Sequence, residues 1–274
     1  LSSIHRLSLV IAMPKFLELS KPAWFTNRAQ TITHYYLNRF GLPLAGRGLA
    51  RVETPYGTKL NVPLLDRDAF LQLCTTFSSS NPWNQLELDR EPATIVDLGA
   101  HRGFTTLYWK SRFPNATVFC VEMDEHNAAA CRELFHYNQC EITVSRAAIA
   151  AADGSATYRA HDESMRHRLS DLIATDDKFT FEGSVCTVPT MTLASYLDSI
   201  GLERVDLMKV DIEGAEQHLL DSISEWAPRV SMLLMEIHHN IDKTAAKRTL
   251  EEAGFNIEIG DQTDRTEWWC RQVA

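Results

Sequence analysis

Three stretches of this chain bring together residue types that could bind a ligand or move a proton. The first is Asp97-Leu98-Gly99-Ala100-His101-Arg102-Gly103. A glycine-rich turn lets a ligand approach the backbone, because glycine has no Cβ in the way. A dinucleotide fingerprint would read G-x-G-x-x-G. Counted from Gly99, His101 and Phe104 stand where the second and third glycines belong. A pyrophosphate would lose its cradle, and an acid two residues before Gly99 suits a nucleoside with a cationic or zwitterionic tail. An ordinary turn with an incidental aspartate has the same residues. The second stretch centres on Glu122, placed to accept both hydroxyls of a ribose. Glu122 and Asp124 also precede a helical pattern, whose macrodipole favours acids. The third is Lys209-Val210-Asp211-Ile212-Glu213-Gly214-Ala215-Glu216. Capping a helix accounts for Glu213 and Glu216. Asp211 ends an apolar run, where a carboxylate can orient a substrate hydroxyl or take its proton. Glu236, His238 and His239 follow the next apolar run and reach the same rim in the usual strand order. A histidine pair in a loop is otherwise plain surface. Asp211 and Glu236 offer hard oxygens to Mg²⁺, but no ligand spacing demands a metal, and none is expected.

The elements that position these residues follow from the hydrophobic pattern. Short apolar runs at 94–98, 117–121, 142–145, 205–210 and 230–237 read as strands. Helical patterns at 104–110, 124–138, from 211 to about 223, and at 244–253 separate most of them. On the second helix Asn127, Cys131, Leu134, Phe135 and Asn138 share one face at i, i+4, i+7, i+8 and i+11. Strands alternating with helices mean βαβ units and a mainly parallel sheet. Runs at 255–259 and 267–273 close the chain around a polar turn with no room for a crossover helix. The last strand must therefore run antiparallel to its neighbour.

The first 90 residues differ. Residues 15–40 read as an aromatic-rich helix stopped by Gly41 and Pro43. Residues 51–54 and 58–62 flank Pro55-Tyr56-Gly57 as a hairpin, and 66–77 as a further helix. This divides the chain into an N-terminal helical and hairpin extension, 1–90, expected to serve as a substrate cap or an oligomer contact, and a ligand-binding domain, 91–274. Trp24, Phe25, Tyr35, Tyr36 and Phe40 offer a face to a partner subunit as readily as to their own domain, which leaves a homo-oligomer open. The insert 158–184 carries a small basic cluster, Met165-Arg166-His167-Arg168, that suits an anionic or polyol substrate, although a solvated loop explains it as well. Trp226, Trp268 and Trp269 read as core or edge-strand residues.

The composition sets limits. The 274 residues carry 27 Lys+Arg against 36 Asp+Glu, a formal net charge of −9. That balance argues against a nucleic-acid partner, which needs a basic face. No apolar stretch reaches the ~18 residues of a membrane span. A short apolar run from Leu7 to Met13 lacks a cleavage signature and is not read as a signal, and Met13 is a candidate natural start. Six scattered cysteines without a C-x-x-C pair suit a reducing, cytoplasmic setting.

Residues 93–240 resemble a class I S-adenosylmethionine-dependent methyltransferase, and more narrowly the FkbM family. The resemblance rests on TIVDLGAHRG (94–103), the acid in VEMDEHN (121–127), TLASYLDS (192–199) and DLMKVDIEGAEQHLL (206–220). It implies a Rossmann-like three-layer α/β sandwich with a mostly parallel seven-stranded sheet and one antiparallel strand. It implies S-adenosylmethionine as cofactor and a small-molecule substrate, most simply a hydroxyl of a small metabolite or sugar. By the same resemblance Asp97 holds the methionine ammonium end, beside a turn of Gly99, Ala100 and Gly103. Glu122 binds the ribose, Met123 lies against the adenine, and Ala147 or Ala148 flanks the base. Asp211 lies nearest the transferred methyl, and His238 assists or replaces it. Transfer to nitrogen, a nucleotide-dependent oxidoreductase on a similar sheet, and a non-catalytic scaffold are the rival readings.

Overall fold

The computed structural model describes residues 26, 48–54, 56–64, 72–73, 75–77, 81–159, 168–169, 185–262 and 265–273. The chain divides into two units, Leu1–Asp89 and Arg90–Ala274. In the first, Gly48–Glu53 (β1) pairs antiparallel with Lys59–Leu64 (β2). Ala50 lies opposite Val62 and Val52 opposite Leu60, and all four side chains are buried. This is the hairpin expected around Tyr56-Gly57. The helical pattern at 15–40 and most of the one at 66–77 lie outside the described residues.

The second unit is built on a sheet whose central strands are mainly apolar, apart from the charged Asp97, Lys209 and Glu236. Its elements run Thr94–Leu98 (β3), Phe104–Arg112 (α1), Thr117–Glu122 (β4), Glu125–Tyr137 (α2) and Ile142–Arg146 (β5). A second, smaller sheet follows: Ala148–Ile149 (β6), Gly154–Arg159 (β7), Arg168–Leu169 (β8) and Val185–Met191 (β9). The chain then returns through Leu193–Ser199 (α3), Leu207–Val210 (β10), Glu216–Asp221 (α4), Ile223–Trp226 (α5) and Met232–Ile237 (β11). Lys243–Glu252 (α6), Phe255–Gln262 (β12) and Arg265–Gln272 (β13) complete it.

The large sheet has seven strands in the order β12-β13-β11-β10-β3-β4-β5. Strands β5, β4, β3, β10 and β11 pair in parallel, and β13 runs antiparallel to both β11 and β12. The reversed strand is the one that the missing crossover helix requires. All six residues of β11 and all four of β10 are buried, as strands covered on both faces must be. Val96, Leu98, Met208, Leu233, Trp226 and Trp268 belong to one continuous core. The tryptophan expectation holds for these two, while Trp269 is half-buried.

Helix ends are fixed by side chains that the sequence supplies. Asp124 accepts from the Asn127 amide at 2.9 Å, Thr192 from Ser195 at 3.1 Å, and Asp242 from Thr244 at 2.9 Å. Asp124 is thus the cap of α2, and the Tyr158 hydroxyl donates to its other oxygen at 2.9 Å. The strand order reverses between β3 and β10, because β3 leads to β4 and β5 on one side and β10 to β11 on the other. Ligands of open α/β sheets bind beyond the carboxyl ends of the strands at such a point.

Candidate active site

The turn after β3 is pressed against the end of β10. Gly99 has φ +81°, and a Cβ there would lie 1.7 Å from the Asp211 carbonyl oxygen. The Asp211 amide donates to the Leu98 carbonyl at 3.0 Å, while the Gly99 and Ala100 amides both donate to Val121, each at 3.0 Å. The turn is therefore sewn to β4 on one side and to β10 on the other. Gly103, with φ +83°, opens α1 where a Cβ would meet the Phe135 ring at 2.7 Å.

Glu122 ends β4, and its carboxylate closes the same turn. Oε2 accepts from the His101 amide at 2.7 Å and Oε1 from the Asp124 amide at 2.8 Å. Two of about four acceptor positions are used, so the carboxylate retains capacity for hydroxyl donors. Burial pushes its pKa up to about 7 against the opposing pull of those two amides. Met123, next in the chain, packs partly buried against the cluster of Ala148, Tyr158 and Val188. Ala147, just past β5, is buried in the main core.

Asp97 is wholly buried. Thr106 Oγ1 donates to its Oδ2 at 2.6 Å, and Lys209 Nζ lies 3.3 Å from Oδ1. That second contact is an ion pair without hydrogen-bond direction, since Oδ1 has no hydrogen-bond partner. Burial raises the Asp97 pKa above the usual carboxylate range, and the Lys209 charge limits the rise. Lys209 stands directly across from Asp97 in the β3–β10 register. Its ammonium donates to the Gly99 carbonyl at 3.0 Å and lies 3.4 Å from Asp211 Oδ2. Burial alone would favour its neutral form. The charges of Asp97, Asp211 and Glu236 outweigh this and raise its pKa above the ordinary lysine range.

The turn between β10 and α4 faces His238, which follows β11. Glu213 has φ 55° and Gly214 φ 101°. A Cβ at Gly214 would meet Asn240, whose amide donates to the Gly214 carbonyl at 2.9 Å. The His238 Nε2 lies 3.5 Å from Glu213 Oε2 and 3.9 Å from Asp211 Oδ1, and Nδ1 lies 3.0 Å from Glu216 Oε1. Burial pulls the imidazole pKa down, but hydrogen bonds to Glu213 and Glu216 and the nearby charge of Asp211 push it up to about 10. His238 is therefore an imidazolium at neutral pH. Asp211, Glu213 and His238 offer ligand atoms within 4.8 Å of one another, a spacing a metal ion could use.

The sequence-selected residues Asp97, Gly99, Ala100, Gly103, Glu122, Asp211 and His238 thus converge on the carboxyl ends of β3, β4, β10 and β11. His239 does not join them; it is exposed. Most of the basic insert cluster lies outside the described residues. Lys209, Glu213 and Glu216 were not singled out from the sequence as contributors. A lysine inside the buried run Leu-Met-Lys-Val was the available signal, because an ammonium is rarely buried without a partner.

This strand order, with only β13 reversed, and this placement of a glycine turn and acids at one rim, define a Rossmann-like class I methyltransferase domain. Residues 97–257 match the family described as the methyltransferase FkbM domain, and the chain belongs to that family. It is 25% identical over 230 residues to Methyltransferase 1 of Beauveria bassiana, spanning 77% of this chain and 86% of that protein. It is 25% identical over 158 residues to the 2-O-methyltransferase NoeI of Sinorhizobium fredii, spanning 54% of this chain and 65% of NoeI. Among solved structures, the methyltransferase FkbM of Methylobacillus flagellatus is similar at 15% identity and TM-score 0.47, over 72% of this chain and 47% of that one.

Proposed function

We propose that this protein transfers the methyl group of S-adenosylmethionine to a hydroxyl of a small metabolite or sugar. The observation that carries the reading is the Asp211 carboxylate at the rim, held between the Lys209 ammonium and the His238 imidazolium and adjoining the Gly99 turn. The donor set fits a cationic cofactor. Asp97, Glu122, Asp211, Glu213, Glu216 and Glu236 surround the rim with two cations, Lys209 and His238, among them. In this reading the Gly99–Gly103 turn and Asp97 serve the amino-acid end, Glu122 the ribose, and Met123 and Ala147 the base. When bound, the cofactor supplies an electrophilic sulfonium methyl, so the protein's task is chiefly alignment and water exclusion. Alignment of that kind is worth ~7–11 kcal/mol. Asp211 would accept the proton that the acceptor hydroxyl loses in the transfer. His238, already protonated, steadies Asp211 and the developing charge. The 2-O-methyltransferase relative supports oxygen as the acceptor atom.

Among the described residues no helix is long and apolar enough to cross a membrane. Among the described residues Cys120, Cys131, Cys140 and Cys270 are free thiols, which supports our placing of the protein in a reducing, cytoplasmic setting.

Incubation with S-adenosylmethionine carrying a labelled methyl, against a panel of sugars, hydroxy acids and amines, tests the acceptor class. Label on a hydroxyl oxygen supports the reading. Label confined to amines overturns the choice of oxygen.

Glu122 gives the cofactor site a pH dependence. Its proton is lost as the pH rises through about 7. The ionised carboxylate accepts ribose hydroxyls more strongly than the acid. The affinity for S-adenosylhomocysteine should therefore rise up to about tenfold from pH 6 to pH 8. In Glu122→Gln the affinity should be weaker and flat over that range; calorimetric titration at several pH values checks both.

A further inference from the structure

Every buried charged residue among those described lies at or beside this rim: Asp97, Glu122, Asp124, Lys209, Glu216 and Glu236. Five are acids, and Lys209 is the cation. A buried ion pair is weak evidence of a stabilising role, since apolar residues of similar volume often serve the fold as well or better. A lysine inside an otherwise apolar strand calls for a different explanation. Its contacts supply one, because each is to a group that the proposed function uses. The ammonium donates to the Gly99 carbonyl at 3.0 Å, with Asp97 Oδ1 at 3.3 Å and Asp211 Oδ2 at 3.4 Å.

Resting on the methyltransferase reading, we propose that Lys209 is the positioning residue for the amino-acid end of the cofactor. Its ammonium fixes the Gly99 carbonyl and the Asp97 carboxylate on one side and the Asp211 carboxylate on the other. Gly99 has no side chain of its own, and the Lys209 ammonium donates to its carbonyl. Asp97 and Asp211 are like charges flanking one cation. Without that cation the wholly buried Asp97 takes up a proton, and its negative field at the turn is lost. The charged and titratable groups facing this pair are Asp211, Glu122, Glu236 and the buried thiol of Cys131. None of them can replace an ammonium. Lys209 thus acts mainly on the amino-acid end; at the nucleoside end its charge is the smallest of the influences on Glu122.

A comparison of two ligands on the intact protein separates this role from a merely structural one. S-Adenosylhomocysteine carries the amino-acid end, whereas 5′-methylthioadenosine carries the same nucleoside and sulfur without it. Calorimetry on Lys209→Met should show S-adenosylhomocysteine weakened by about 10–100-fold, the range that charge-assisted hydrogen bonds carry. The affinity for 5′-methylthioadenosine should stay within about threefold of the unaltered protein. Lys209→Arg, which keeps a cation, should recover most of the loss. Should Lys209→Met fail to fold because Asp97 is left unpaired, Lys209→Gln, which keeps Asp97 and a neutral hydrogen-bond donor but no charge, should show the same selective loss. Equal weakening of both ligands, or no weakening of S-adenosylhomocysteine, would overturn the proposal. Failure of the unaltered protein to bind either ligand would instead overturn the methyltransferase reading, and this role with it.

Discussion

Asp211→Asn should lower the rate of methyl transfer by about 10²–10⁴-fold, the usual contribution of a positioned general base. The affinity for S-adenosylhomocysteine should stay within about threefold, because the change removes an interaction made in the transition state rather than in cofactor binding. Asparagine preserves the shape of the side chain and still offers an oxygen to Lys209. It cannot take a proton from an acceptor hydroxyl. His238 does not substitute for it, since its hydrogen bonds to Glu213 and Glu216, which the variant keeps, favour its protonated form. Single-turnover transfer of a labelled methyl, measured beside calorimetry on the same sample, reads the two effects separately. Collapse of cofactor affinity with transfer of bound substrate intact would mean that Asp211 holds the cofactor instead.

Gly99→Ala should abolish detectable cofactor binding. The cause is steric and backbone-borne. At φ +81° an L side chain is strained by about 1–2 kcal/mol in any surroundings. Here the added Cβ would also fall 1.7 Å from the Asp211 carbonyl oxygen, a group that cannot rotate away. Either the turn or the end of β10 must move, and both carry the site. Gly57 is the internal control. It has φ +80° but open space around it, so Gly57→Ala should cost only the conformational strain and leave cofactor affinity unchanged. Thermal unfolding and S-adenosylhomocysteine titration of the two variants check the contrast, and retained binding by Gly99→Ala would refute the described turn.

How far the sequence alone could go depended on the range of each interaction. The five parallel strands, the reversed final strand and the acid before α2 rest on local periodicity and local hydrogen bonding, and these were legible. Asp97, Glu122 and Asp211 were legible because each breaks an apolar run near a strand's carboxyl end. The β6–β9 sheet was not, because β6 and β8 are two residues long and β7, GSATYR, lacks an apolar run. Lys209 was passed over because its importance lies in register. Only when β3 lies beside β10 does it stand across from Asp97. Glu213 and Glu216 read as helix-terminal acids until the turn after β10 and the loop after β11 are brought face to face. The His238–Glu216 contact joins residues 22 positions apart, a separation that no periodic pattern reports.

The central claim is that this rim holds an S-adenosyl nucleoside, and the most direct test is calorimetric titration of the unaltered protein with S-adenosylhomocysteine, using NADH and NADPH as controls. Micromolar binding of the first and none of the others is the expected result. Binding of NADH or NADPH with none of S-adenosylhomocysteine would contradict it and turn the same rim into an oxidoreductase site.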